Sequence, residues 1–93
     1  APNRFTLNQN YPNPFNPETN INFELPVKSA VKIEIFDVSG RAVDKVIERN
    51  LEAGYHTVKY NGSRLSSGIY YCRMSAESDG VSFVKTTKMI LIK

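Results

Sequence analysis

The sequence predicts an all-β fold, an antiparallel β-sandwich of about seven short strands. Apolar and polar residues alternate in several short runs, which is the pattern of strands with one buried face. Glycine, proline and asparagine separate these runs and supply turns. The 93 residues, 41% hydrophobic and 23% charged, are enough for one globular domain with one modest core. Residues 1–93 are therefore expected to form a single domain.

The first two strands are predicted around residues 21–25 and 31–35. Ile21, Phe23 and Leu25 alternate with polar residues, and the second run repeats the pattern with valine and isoleucine. A turn is expected at residues 37–40, where Gly40 is free to adopt positive φ.

The next segment has two interpretations. Residues 41–48 are expected to return as a hairpin partner of the preceding strand. The apolar residues between positions 42 and 51 also fall at helical spacing, so a helix is the alternative. The strand is preferred because the preceding turn and the following Ala53-Gly54 fit a hairpin better.

The C-terminal half predicts three more strands. Residues 55–60 form one, which ends at the turn dipeptide Asn61-Gly62. Residues 68–76 and 81–92 form a final hairpin around a turn at 78–80.

Tyr70 adds detail to the fold class. It stands two residues before Cys72, as does the tyrosine that makes a corner in immunoglobulin strand F. Its ring is expected inside the sandwich, with the hydroxyl bonded to upstream backbone. A second cysteine is absent from the sequence, so the inter-sheet disulfide is not possible. The prediction is an Ig-like or fibronectin-like sandwich.

Three prolines close together predict a rigid, non-repetitive segment at residues 10–17, here called the proline loop. Each proline ring fixes φ and removes a backbone donor, which excludes helix and sheet interior. Its two aromatic rings, Tyr11 and Phe15, are expected to pack onto the folded body. The loop consists of Asn10, Tyr11, Pro12, Asn13, Pro14, Phe15, Asn16 and Pro17.

Bulk properties argue against several classes of function. The net charge of +3 is spread along the chain, so no nucleic-acid partner is expected. No apolar run reaches the roughly 18 residues of a membrane-spanning helix. Because no signal-peptide pattern begins the sequence, the chain is expected to be an excised C-terminal module of a longer exported protein.

The chemistry-bearing residues predict no enzyme and no cofactor. His56 is the single histidine, and Cys72 has no neighbouring base in the sequence, so both are expected to be structural. The asparagines of the proline loop and Glu18 are the nearest approach to a calcium site. Bonding of asparagine side chains to turn backbone is the favoured interpretation.

Exposed aromatic rings leave open a carbohydrate-binding function. Most of these rings are expected in the core or as loop anchors. The available rings are those of Tyr11, Phe15, Tyr55, Tyr60, Tyr70 and Tyr71.

The last six residues are apolar on both faces of a predicted strand. Met89 and Leu91 can fill one face, while Ile90 and Ile92 lie on the other. Such a strand is either the last core strand or also a recognition element with an accessible edge. In the second interpretation Lys88 and Lys93 bracket the edge as gatekeepers and charge contacts.

Several motifs, in order and spacing, resemble the C-terminal sorting domain (type A) carried by cargo of the type IX (Por) secretion system of Bacteroidetes-type bacteria. The resemblance covers nearly all of residues 5–93. The matching positions are Leu7, 9–17, Thr19, Ile21, Phe23, Leu25 and Pro26; Val31, Ile33, 35–37, Gly40, Arg41 and Val43; Ala53, Gly54 and His56; Ser67, Gly68 and Tyr70; and Lys88, Met89, Ile90, Leu91, Ile92 and Lys93.

This resemblance implies a sorting and surface-attachment module that outer-membrane secretion proteins recognise. It implies a secreted or surface-located protein, with a sortase-like protease and lipopolysaccharide as further partners. It also implies a relation to the Ig-like domain of the flagellar hook-cap protein. The terminal strand is expected to be the docking element. A carbohydrate-binding or structural accessory module of a secreted hydrolase is the alternative.

Overall fold

Seven strands form two antiparallel sheets. The structure, a computed structural model, describes residues 2–93, so Ala1 of the predicted domain lies outside the described residues. One sheet has the strand order β1-β2-β5 and the other β4-β3-β6-β7. The predicted all-β sandwich is confirmed. The strands are β1 (Thr6–Leu7), β2 (Glu18–Leu25), β3 (Ser29–Phe36), β4 (Ala42–Leu51), β5 (Gly54–Asn61), β6 (Gly68–Ser78) and β7 (Val81–Leu91).

Alternate residues of the long strands form one apolar core between the sheets. Fully burying a large apolar side chain stabilises a fold by about 1.5–3 kcal/mol, so these positions account for much of the driving force. The proline loop contributes one member, Phe15. The core residues are Leu7, Phe15, Ile21, Phe23, Leu25, Val31, Ile33, Ile35, Tyr60, Tyr70, Cys72, Met74, Ala76, Met89 and Leu91.

The segment with two interpretations is strand β4, and its helical spacing has a structural cause. The pairing with β3 shifts register between Ile33 and Glu34 and again between Ile35 and Phe36. Val46 and Val43 are the extra residues at these two shifts. Each bulge inserts one residue, so the apolar positions depart from period two and imitate a helix.

Strand β1 has no counterpart among the predicted strands. Its two residues pair with Glu24 and Phe23 of β2. Two residues are too few to show alternation. The ring of Phe5, just before it, stacks on the ring of Phe83 at 5.4 Å between centroids, which connects this edge to β7.

Two of the three predicted turns, at residues 37–40 and 78–80, are tight turns with positive φ. Gly40 has a φ of 88° and donates its amide to the Asp37 carbonyl. Hydrogen bonds from the Ser39 hydroxyl and the Arg41 amide lower the pKa of Asp37. Asp79 and Gly80 both have positive φ, which suits the two-residue connection of β6 to β7.

Candidate functional site

The proline loop lies along the end of β7 and continues the sheet by one residue. The Phe15 amide donates to the Ile90 carbonyl, and the Ile92 amide donates to the Phe15 carbonyl, both at 2.9 Å. Phe15 and Leu91 thereby form a parallel bridge. The loop and the terminal strand, predicted as two separate features, are one structure.

Two side chains complete this contact. The Ile90 amide donates to Asn13 Oδ1 at 2.9 Å, and Gln9 Nε2 donates to the Lys88 carbonyl at 2.7 Å. The outward backbone groups between Lys88 and Ile92 are therefore occupied. The hypothesis that the terminal strand keeps an accessible edge is wrong for this stretch, because the proline loop covers it.

Buried polar contacts hold the proline loop in shape. Asn10 Nδ2 donates to the Pro12 carbonyl and to Thr19 Oγ1, and the Thr19 hydroxyl donates to the same carbonyl at 2.8 Å. The prediction that asparagine side chains bond turn backbone is confirmed for Asn10. Between residues 2 and 93 no group of three or more His, Cys, Asp or Glu could hold a metal ion.

The two aromatic rings of the loop have opposite environments. Phe15 is 1% exposed, and its ring meets the Tyr60 ring edge-on with 6.4 Å between centroids. Tyr11 is 76% exposed, so the prediction that it packs onto the folded body is wrong. Its backbone pairs with Asn20 on β2, and residues that pair share a face, here the solvent side of the sheet.

Gly62 makes room for Phe15. A Cβ at Gly62 would lie 3.3 Å from Phe15 Cε2 and 3.5 Å from a Leu91 methyl carbon. The sequence predicts Gly62 only as a turn residue. Its close approach to the loop and the terminal strand is a second reason for glycine, and the sequence carries no sign of it.

The terminal residues, Lys88–Lys93, have one buried face and one more exposed face, and apolar side chains lie on both, as predicted. Met89 and Leu91 are buried, whereas Ile92 is 52% exposed. Lys88 is exposed, but Lys93 Nζ donates to the carbonyls of Ser63 and Leu65 at 2.7 and 2.8 Å. The ammonium group of Lys93 is therefore held by the turn after β5, and the role of both lysines as gatekeepers and charge contacts stays a prediction.

Tyr70 forms the predicted corner. Its ring is buried, and its hydroxyl donates to the Ser66 carbonyl at 2.7 Å. Cys72, two residues later, is also buried, and burial raises the pKa of its thiol to about 12. A thiol with this pKa is protonated at neutral pH and is a poor nucleophile.

His56 has the contacts of a scaffold residue. Its ring stacks on Phe23 with 5.2 Å between centroids, and its Nε2 lies 2.8 Å from the Glu52 carbonyl oxygen. It belongs to β5, in the sheet opposite the one that contains Cys72.

These observations define a class: a small β-sandwich whose distinctive site is a backbone pairing between a proline loop and the terminal strand. Residues 9–93 match the family described as the secretion system C-terminal sorting domain, and the chain belongs to this family. The type IX secretion machinery recognises such domains, and the protein that carries one is secreted or reaches the cell surface.

Other comparisons add no relative. No curated protein and no solved structure shows significant similarity to the chain. The relation to the flagellar hook-cap domain thus stays a prediction. Within residues 2–93 no helix is long and apolar enough to cross a membrane.

Proposed function

We propose that residues 1–93 are the sorting unit of a longer secreted protein and act without catalysing a reaction. The proline loop and Lys88–Lys93 together form the element that the type IX machinery recognises. The observation that carries this proposal is the pairing of Phe15 with the backbone on either side of Leu91. Two segments from opposite ends of the chain thereby present one continuous surface.

The sequence separation makes this pairing informative. The bond from the Ile90 amide to Asn13 spans 77 residues, and the bond from Gln9 to the Lys88 carbonyl spans 79. The two segments pair in this way only when the fold brings the two ends of the chain together. A partner that binds the proline loop and the terminal strand together therefore selects the folded domain over an unfolded one.

After export we expect the domain to take part in attachment at the cell surface. Either a sortase-like protease removes the domain and joins the cargo to lipopolysaccharide, or the domain stays and holds the cargo. Membership of the family supports this step. The buried thiol of Cys72 and the stacked ring of His56 support a passive role for the chain itself.

The test is export of a reporter with residues 1–93 fused to its C-terminus. We expect surface display in a host with an active type IX system and retention in the periplasm of an isogenic strain without one. The reporter without the domain is the control. Equal display in both strains, or retention in both, would contradict the proposed function.

A second candidate function, carbohydrate binding, is favoured by one face of the β1-β2-β5 sheet. Tyr55 is 72% exposed and pairs with Glu24, while the exposed Tyr11 pairs with Asn20. The two rings therefore share the solvent face, about 13 Å apart along β2. Tyr60 is buried and cannot be a sugar platform.

Affinity electrophoresis in gels that contain a soluble polysaccharide tests this second candidate. Binding by this face predicts retardation that the Tyr55→Ala substitution abolishes. Tyr71→Ala, on the other sheet, is the control and should leave retardation unchanged. Migration that no polysaccharide alters would exclude the carbohydrate-binding alternative.

A further inference from the structure

The outward face of the β4-β3-β6-β7 sheet carries apolar side chains beside the terminal strand. Ile90 of β7 stands directly opposite Ile69 of β6, and Lys88 stands opposite Tyr71. Tyr71 in turn stands opposite Phe36 of β3. Ile69 is 40% exposed although its isoleucine partner lies next to it. We call this set the docking face: Phe36, Ile69, Tyr71, Lys88, Ile90 and Ile92.

Apart from Val84, the large apolar side chains that β3, β6 and β7 place on this outward face lie at this end of the sheet. Farther along the same outward face, Lys32 pairs with Ser75 and Ala30 pairs with Glu77. Those rows have the polar composition of an ordinary solvated face. A contiguous apolar patch with polar residues around it is typical of an interaction site.

Positive charge borders the docking face. Lys88 is exposed and takes part in none of the ion pairs formed within residues 2–93. The Arg73 guanidinium lies 4.3 Å from the centre of the Phe36 ring and 3.7 Å from Glu34. A complementary surface would therefore combine apolar side chains with a carboxylate opposite Lys88.

We propose that the docking face is where a protein of the type IX machinery holds this domain, through an apolar surface bordered by carboxylates. The inference rests on the proposed function and specifies its partner surface. It also divides the terminal residues by task. Lys88, Ile90 and Ile92 contact the partner, whereas Met89 and Leu91 hold the strand in the core.

Charge substitutions test the docking face in the exported reporter fusion. Ile69→Lys should lower the ratio of surface to periplasmic reporter by about tenfold or more, the effect typical of a buried interface residue. Val84→Lys is the matched control, because Val84 is 62% exposed on the same face but outside the docking face. Export of the Ile69→Lys fusion at the level of the control would overturn the proposal.

The contribution of Lys88 is tested by Lys88→Glu, with Lys85→Glu on the same strand as its control. Both lysines are exposed, so neither change removes a core contact. We expect reduced export for Lys88→Glu alone. The same export for both variants would contradict a carboxylate opposite Lys88.

Circular dichroism of the purified domain shows whether the Ile69→Lys variant folds. If it does not fold, photo-crosslinking tests the docking face instead. A benzophenone side chain in place of Tyr71 should crosslink to an outer-membrane secretion protein during export. The same group in place of Tyr55, on the opposite sheet, should not. Crosslinking from Tyr55 alone, from both positions equally or from neither would overturn the docking face.

The two proposals fail in different ways. If the unsubstituted fusion does not depend on the type IX system, the proposed function is wrong. If the fusion depends on it but the docking-face variants are exported normally and Tyr71 does not crosslink, only the docking face is wrong.

Discussion

Phe15 connects the proline loop to the core of the sandwich. Because the ring is buried against Tyr60 and Gly62, Phe15→Ala should lower the free energy of unfolding by about 3–5 kcal/mol. Tyr11→Ala, in the same loop but at an exposed position, should change it by about 0.5 kcal/mol or less. Urea denaturation measures both. Equal midpoints for the two variants would contradict the burial of Phe15.

The buried thiol of Cys72 should lower the free energy of unfolding at alkaline pH. Burial raises the pKa of its thiol to about 12, above the value of about 8.5 in an unfolded chain. The thiol therefore loses its proton at a higher pH in the folded state than in the unfolded chain. The stability that the protonated thiol contributes is fully present below the unfolded pKa and is lost as pH rises above that value.

The expected result is a lower urea midpoint at pH 10 than at pH 7, with a smaller difference in Cys72→Ala. The native thiol should also resist alkylation at pH 8 and react after denaturation. Rapid alkylation of the folded domain would show that the thiol is accessible.

Single residues differ in how well the sequence predicts them. The corner of Tyr70 is predictable, because its hydroxyl bonds to backbone only four residues upstream. The fates of Tyr11 and Phe15 are not, because three prolines break the alternation that would assign each ring to a face. The close packing around Gly62 cannot be predicted either, because its neighbours Phe15 and Leu91 are distant in sequence.

At the scale of elements, the edge of β7 that faces away from β6 differs between its two ends. The amides of Ile90 and Ile92 are bonded to the proline loop. In an antiparallel ladder every second residue points its backbone groups the same way, and no bulge interrupts the pairing of β6 with β7. The amides of Val84 and Thr86 therefore also point away from β6, where the proline loop does not reach.

Hydrogen exchange followed by NMR tests this division of β7. We expect slow exchange at Ile90 and Ile92 and fast exchange at Val84 and Thr86. Fast exchange at all four amides would contradict the pairing of the loop with the strand. Lys85, in the stretch that the proline loop does not reach, disfavours edge-to-edge association.

Elements with regular alternation are predictable, and elements without it are not. β2 and β3 keep period two throughout, and the sequence predicts both. In β4 two bulges, at Val43 and Val46, interrupt the alternation, which is why a helix is the alternative interpretation of its sequence. β1 is too short to show any period.

For the whole molecule, the sequence predicts the fold class but not the contact between the proline loop and the terminal strand. Alternation and turns determine that strands form and where they end. They do not determine which edge of which strand the proline loop covers, because that contact joins positions nearly a chain length apart. The family resemblance identifies both segments as important, whereas only the structure shows that they meet.

One measurement addresses most directly the claim that the proline loop and the terminal strand act as one sorting element. The double variant Gln9→Ala/Asn13→Ala removes both side-chain bonds to the edge of β7 and leaves the Phe15 ring in place. Asn16→Ala, at an exposed position of the same loop, is the control.

The ratio of surface to periplasmic reporter should fall for the double variant and stay unchanged for Asn16→Ala. Thermal denaturation should show that both variants are folded at the growth temperature. A folded double variant exported as efficiently as Asn16→Ala would contradict the claim.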